Sequence, residues 1–287
     1  MMTKTMIAAA AAALAASAAM AEPATAMAKK ISETGKNVRN DVWHGHDRVV
    51  FDFDGHEAWI VLPKGEPAAG APWTWTMQWA DAFVDRQGCL GTLARGWRHV
   101  TIDVFGTRMD AEGLRVCRAF QRYLVETLGF APQARLIGMS WGGFFSVRYA
   151  NAHPDCVRRI YLDAPLLHFG SGFAKGGEHS DASDTIGPWS ASAPADGNWL
   201  DDPRMPVNMA ASLARAKIPV LLLYGGQDQS VVPETNCRLF ASRFKAAGGD
   251  IRIDARPGFG HHPHGLDPDK TGPIVDFFLE TPAPAGR

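Results

Sequence analysis

One short segment constrains this chain more than any other: Ala134-Arg135-Leu136-Ile137-Gly138-Met139-Ser140-Trp141-Gly142-Gly143. The apolar pair Leu136-Ile137 leads into Gly138-x-Ser140-x-Gly142, and an amphipathic stretch, residues 144–150, follows at once. That order reads as a strand, a sharp turn and a helix start, with a hydroxyl at the apex. A residue in so strained a turn has almost no clearance on either side, and the glycines at 138, 142 and 143 supply it. Ser140 would then project its Oγ above a sheet edge, beside the first N–H groups of the next helix, where developing negative charge is favoured. A glycine-rich turn can also merely close a strand. The strand before and the helix after make Ser140 a candidate nucleophile.

The same alternation runs through the chain. Residues 49–51 and 58–62 read as a hairpin joined by Asp54-Gly55. Residues 73–79 alternate aromatic and polar side chains like a strand, and 81–93 read as a helix interrupted by Gly88. Strands follow at 99–104, 158–162, 219–224 and 251–255, and helices at 111–128, 209–216, 233–247 and 273–279. An antiparallel start followed by repeated βα units predicts an α/β fold with a mostly parallel central sheet and helices on both faces. Residues 46–283 form the expected single domain, with 22–45 as a polar lead-in. Residues 168–205 are rich in Gly, Ser, Ala, Asp and Pro and predict an irregular, lid-like insertion.

The N-terminus predicts export. Lys4, an apolar run over 7–18 and Ala19-Met20-Ala21 before Glu22 have the form of a signal peptide, residues 1–21, with Ala24-Thr25-Ala26 as a second possible cleavage site. The run is too short to span a membrane, so a periplasmic or extracellular protein without a membrane anchor is expected. Loss of residues 1–21 would remove Lys4 alone among the charges, leaving 28 basic against 30 acidic residues. No basic surplus points to nucleic acid or anionic lipid. Cys89, Cys117, Cys156 and Cys237 are widely spaced, without a C-x-x-C pair. Export permits disulfides, and four buried thiols fit equally well. The sequence is silent on oligomeric state.

A serine nucleophile needs a base, and the base a carboxylate to hold its tautomer. In a parallel sheet such groups collect at the carboxyl ends of strands. Leu221-Leu222-Leu223-Tyr224-Gly225-Gly226-Gln227-Asp228 runs from an apolar strand into a glycine turn and then an aspartate; Asp163, which also follows a strand directly, is the rival acid. Beyond the last strand comes Pro257-Gly258-Phe259-Gly260-His261-His262-Pro263-His264. His261 is the expected base and His262 the alternative, while His264 is expected to brace the loop. The order Ser, Asp, His is itself diagnostic. His262-x-His264 and His44-Gly45-His46 have spacings that could aim two imidazoles one way, yet they read better as a catalytic loop and as surface residues, so no metal is expected.

These motifs resemble the α/β-hydrolase fold, and the similarity covers roughly residues 46–280. Gly138-Met139-Ser140-Trp141-Gly142 is similar to that superfamily's nucleophile elbow, Tyr224-Gly225-Gly226-Gln227-Asp228 to its acid turn and Pro257-Gly258-Phe259-Gly260-His261 to its histidine loop. The resemblance implies Ser140 as nucleophile, His261 as general base and then acid, Asp228 as orienting carboxylate, and no cofactor. It also implies an oxyanion hole with the Trp141 backbone N–H as one donor. The common His-Gly of the second donor is missing from Trp73-Thr74-Trp75-Thr76-Met77-Gln78-Trp79, which places that donor near Gln78 or Trp79.

The expected function is an exported serine hydrolase acting on a carboxylic ester of a small molecule or glycan, with removal of acetyl groups from carbohydrate as the leading version. A serine peptidase of the same fold and a non-catalytic binding protein are the alternatives. Trp75, Trp189 and Trp199 are candidate pocket residues, since an indole face suits the apolar face of a sugar ring.

Overall fold

Apolar runs long enough to be buried on both faces dominate the second half of the chain, and they become the central strands. The computed structural model describes residues 24–170 and 185–280. Its strands are β1 (Lys36–Trp43), β2 (His46–Phe53), β3 (His56–Val61), β4 (Trp73–Thr76), β5 (Arg98–Ile102), β6 (Ala134–Met139), β7 (Val157–Asp163), β8 (Val220–Gly225) and β9 (Ile251–Arg256). They form one sheet in the order β1-β2-β3-β5-β4-β6-β7-β8-β9. The first three strands and the β3–β5 pair are antiparallel; every pair from β5 through β9 is parallel. Asp54 and Gly55, both at positive φ, close the β2–β3 hairpin as its right-handed twist requires.

The helices are α1 (Ala24–Ser32), α2 (Cys89–Leu93), α3 (Ala111–Glu126), α4 (Trp141–Ala152), α5 (Ala210–Arg215), α6 (Cys237–Ala246) and α7 (Gly272–Leu279). Alternate strand residues feed two cores. Leu136, Ile160, Leu162 and Leu222 face α1, α3, α4, α5 and α6 on one side, while Ile137, Tyr161 and Leu223 face α2 and α7 on the other. α3 starts where Asp110 Oδ1 accepts from the N–H groups of Glu112 and Gly113, and it buries Val116, Phe120 and Leu124 along one stripe. Among the described residues no helix is long and apolar enough to cross a membrane.

The chain leaves β4 toward β5 but leaves β6 toward β7, in the opposite direction. A crevice therefore opens between the carboxyl ends of β4 and β6, the place where open α/β sheets bind ligands. Ser140 follows β6 directly.

The structure corrects the reading of residues 22–45 as a loose lead-in. Ala24, Met27 and Ile31 share one face of α1 and are buried in the main core, and β1 pairs with β2 from Arg39 opposite Val50 to Trp43 opposite His46. β1 is an edge strand that buries Trp43 alone, so it carries almost no apolar period. The second cleavage motif, at 24–26, lies inside α1; the signal segment 1–21 lies outside the described residues. Residues 81–93 make a short 3-10 turn, Val84–Arg86, and then α2, rather than one helix. Gly88 divides them at φ +78, where a Cβ would come within 2.9 Å of Ile274.

The four cysteines are free and buried. Burial pushes the Cys89 thiol up to about 12 and raises Cys117, Cys156 and Cys237 as well.

Two expectations test this fold. Ile31→Ala should lower the unfolding free energy by about 2–5 kcal/mol in urea titrations; an unchanged midpoint would mean that α1 is not docked. A chromogenic thiol reagent at mildly alkaline pH should react with no cysteine of the folded protein and with all four after unfolding without reductant. Two missing thiols would reveal a disulfide.

Candidate active site

Ser140 sits at φ 51, ψ −118, a strained conformation for a residue with a side chain. Three backbone hydrogen bonds of 2.9 Å hold it: its N–H donates to Asp163 O, and its carbonyl accepts from Gly143 and Leu166. The flanking glycines are required by contact. A Cβ on Gly138 would lie 2.6 Å from Ser146 Oγ, and one on Gly143 would lie 2.2 Å from Pro165 Cβ.

The acid and the base arrive on loops that are zipped together. A Cβ on Gly225 would sit 2.1 Å from Gly260 O, the Gly226 N–H donates to Arg256 O at 2.8 Å, and the Gln227 N–H donates to Phe259 O at 2.8 Å. This close approach sets Asp228 against His261. The structure brings all three residues together: His261 Nδ1 lies 2.7 Å from Asp228 Oδ2, and His261 Nε2 lies 3.1 Å from Ser140 Oγ. Asp228 is buried, and its other oxygen accepts from the N–H groups of Ser230 (2.9 Å) and Val231 (2.8 Å). An ionised carboxylate can only accept, so Nδ1 carries the proton. Nε2 is left with the lone pair that can take the Ser140 hydroxyl proton.

Asp163 does not serve this histidine. It is fully buried, and its Oδ2 accepts from the Gly265 N–H and from Tyr161 OH at 3.2 Å. It therefore fastens the far end of the histidine loop to the end of β7. His264, also buried, lies edge-on to Phe83 at 5.3 Å, and its carbonyl accepts from Arg86 Nε at 2.8 Å. His262 is largely exposed and stacks on Phe83 at 5.7 Å; partial desolvation, and then the neighbouring His264 and His261, hold its pKa below the usual imidazole value.

A cavity of about 390 Å³ opens at Ser140, walled by Trp79, Phe83, Met139, Ser230 and the three histidines. Trp141 is the first residue of α4, and the backbone of Gln78 packs against Gly142, 3.4 Å from where a Cβ would stand. The start of α4 and the Gln78-Trp79 turn thus flank Ser140, and an oxyanion formed there would face the first N–H of a helix.

The other tryptophan assignments are corrected. Trp75 is fully buried in the core, against Phe120 at 5.5 Å and Tyr149 at 5.3 Å, because β4 is a central strand with both faces covered. Trp189 and Trp199 pack on Phe169 at 5.6 and 5.0 Å and are likewise buried; neither lines the cavity at Ser140. They anchor the described part of the 168–205 segment, of which residues 171–184 lie outside the described residues. Sequence reasoning missed Phe83. Its place five residues after Gln78, in the loop leaving β4, is the signal that could have found it.

The assignment of the base can be checked with a fluorophosphonate probe. His261→Ala and Asp228→Asn should each slow labelling of Ser140 by about 10³-fold or more, and His262→Ala by less than about tenfold. Equal losses in His261→Ala and His262→Ala would reassign the base.

A sequence profile of the alpha/beta hydrolase fold matches residues 59–201. No curated protein matches the sequence. Among solved structures, the chain is similar to a puromycin-hydrolyzing peptidase of Mycobacterium tuberculosis (17% identity, TM-score 0.56, covering 85% of this chain and 38% of that one). It is also similar to dipeptidyl peptidase 4 of Porphyromonas gingivalis (13%, 0.56, 85% and 35%). A third is MPT51 of Mycobacterium tuberculosis (17%, 0.56, 78% and 93%). The chain spans well under half the length of the two peptidases. Likeness at such identities speaks for the fold. With the profile match, the β5-β4-β6 strand order and the strand–turn–helix that carries Ser140, the chain has the alpha/beta hydrolase fold.

Proposed function

We propose that this protein is a serine hydrolase that cleaves carboxylic esters through an acyl-enzyme. The observation that carries the reading is the continuous path from Asp228 through His261 to Ser140 Oγ, at 2.7 and 3.1 Å, opening into the cavity of about 390 Å³. Ser140 Oγ would attack the acyl carbon as His261 Nε2 takes its proton. The oxyanion would lie between the start of α4 and the Gln78-Trp79 turn. His261 would then return the proton to the leaving alkoxide, and water, activated by the same nitrogen, would release the acid and restore Ser140.

A glycan ester is the leading substrate class. Trp79, on the cavity wall, and Phe259, two residues before His261, are each 42% exposed, which is unusual for large aromatic side chains. A flat exposed ring on the cavity wall, that of Trp79, suits the apolar face of a pyranose bearing a short acyl group. The alanine-rich leader supports export, where such esters occur. A peptidase uses the same path of proton transfer, and two of the similar structures bear peptidase names.

The test is hydrolysis of p-nitrophenyl acetate through octanoate, acetylated xylan and aminoacyl anilides by wild type and Ser140→Ala. We expect acetyl esters to be cleaved at least about tenfold better than octanoyl esters, with loss of about 10⁴-fold or more in Ser140→Ala. Anilides cleaved with higher kcat/KM than any ester would establish the peptidase instead.

A further inference from the structure

The path from Asp228 to Ser140 uses one histidine, yet three crowd the wall of the cavity. The rings of His261, His262 and His264 form a nearly equilateral triangle. Their centroids are 4.9, 4.7 and 4.9 Å apart, and their planes are crossed at 72°, 81° and 90°. One ring nitrogen of each lies within 4.8 Å of those of the other two.

Two of the three have a buried carboxylate at Nδ1. Asp228 Oδ2 lies 2.7 Å from His261 Nδ1, and Asp163 Oδ1 lies 3.4 Å from His264 Nδ1. A carboxylate hydrogen-bonded there, as at His261, keeps the proton on Nδ1 and leaves Nε2 as the electron-pair donor, the arrangement found behind metal-ligating histidines. The second pair is incomplete: Asp163 Oδ1 and His264 Nδ1 are both buried and have no hydrogen-bond partner among the described residues. Such orphans ask for an explanation. A cation on Nε2 would supply one, because it makes Nδ1–H a stronger donor toward the waiting oxygen.

We propose that His261, His262 and His264 form a site for a divalent transition cation of the zinc class, and that this cation and Ser140 compete for His261. Imidazole donors select zinc and its neighbours over magnesium or calcium, which prefer oxygen. A tetrahedral ion at 2.0–2.1 Å from each nitrogen holds them about 3.3 Å apart, so the rings need close only by rotamer-scale shifts. The loop that carries them is already fastened, by Gly265 N–H to Asp163 and by Arg86 to the His264 carbonyl. His261 Nε2 cannot donate its lone pair to an ion and accept the Ser140 proton at the same time. Metal occupancy therefore silences the serine.

The experiment titrates the full, chelator-dialysed protein with zinc chloride in a calorimeter, and measures fluorophosphonate labelling of Ser140 with and without zinc. We expect one ion per chain with micromolar affinity, labelling slowed by more than about tenfold at saturation, and recovery on adding chelator. His262→Ala and His264→Ala should each weaken zinc binding by at least about tenfold, whereas His44→Ala should not. If His264→Ala does not fold, the exposed His262 carries the test. Absence of saturable binding up to about 100 µM zinc overturns the site, as does binding undiminished in His262→Ala. Calorimetry reads the ion without catalysis, so a serine that fails to label in the absence of zinc counts against the hydrolase reading and leaves the metal site to be judged by binding.

Discussion

Asp163 is the point on which the assembly of the site turns. Its backbone oxygen accepts the Ser140 N–H, and its buried carboxylate accepts the Gly265 N–H and the Tyr161 hydroxyl. One residue at the carboxyl end of β7 therefore holds the serine turn from one side and the histidine loop from the other. Neither bond belongs to the path of proton transfer, yet both set its length. A buried carboxylate is tolerable only while such donors surround it. The same bonds that make Asp163 affordable thus fix Ser140 and His261 on a common frame.

Ser140, Asp163 and Asp228 share one property that makes them visible in the sequence: each ends or follows an apolar strand that is buried on both faces, whereas His261 was found from the glycine turn before it. Leu136-Ile137, Leu221-Leu222-Leu223 and the run that ends at Asp163 are unmistakable, so the ends of β6, β7 and β8 could be located and their serine and aspartates singled out. What escaped notice lacks that property. β1 lies at the sheet edge with a single buried side chain, and α1 turns only Ala24, Met27 and Ile31 inward, so both read as polar lead-in. The role of Asp163 was hidden for another reason. Its partner Gly265 is 102 residues away, and no local pattern reports a bond of that range.

The tryptophans show how composition misleads where topology decides. Trp75 alternates with polar neighbours as an exposed strand residue would, but Thr74 and Thr76 are buried too, with the Thr74 hydroxyl 2.8 Å from Nδ1 of buried His99. Satisfied polar groups let a central strand imitate an amphipathic one. Trp189 and Trp199 join Phe144 and Phe169 in an aromatic cluster against α4, and that cluster pins the segment after β7. The walls of the cavity come instead from the end of β6 and the loops after β4, β8 and β9.

Three residues at the cavity carry backbone strain. Trp79, Phe83 and Ser140 all have φ between 51 and 60 without being glycine, and each such residue costs roughly 1–3 kcal/mol. Glycine would relieve the backbone at 83 but would remove the ring that His262 stacks on and His264 meets edge-on. Phenylalanine at that position exchanges backbone comfort for a rigid surface that orients two of the three histidines. One wall of the cavity and the orientation of two of the three imidazoles then share a cause: a loop after β4 forced into a left-handed turn to put an aromatic ring against the loop after β9.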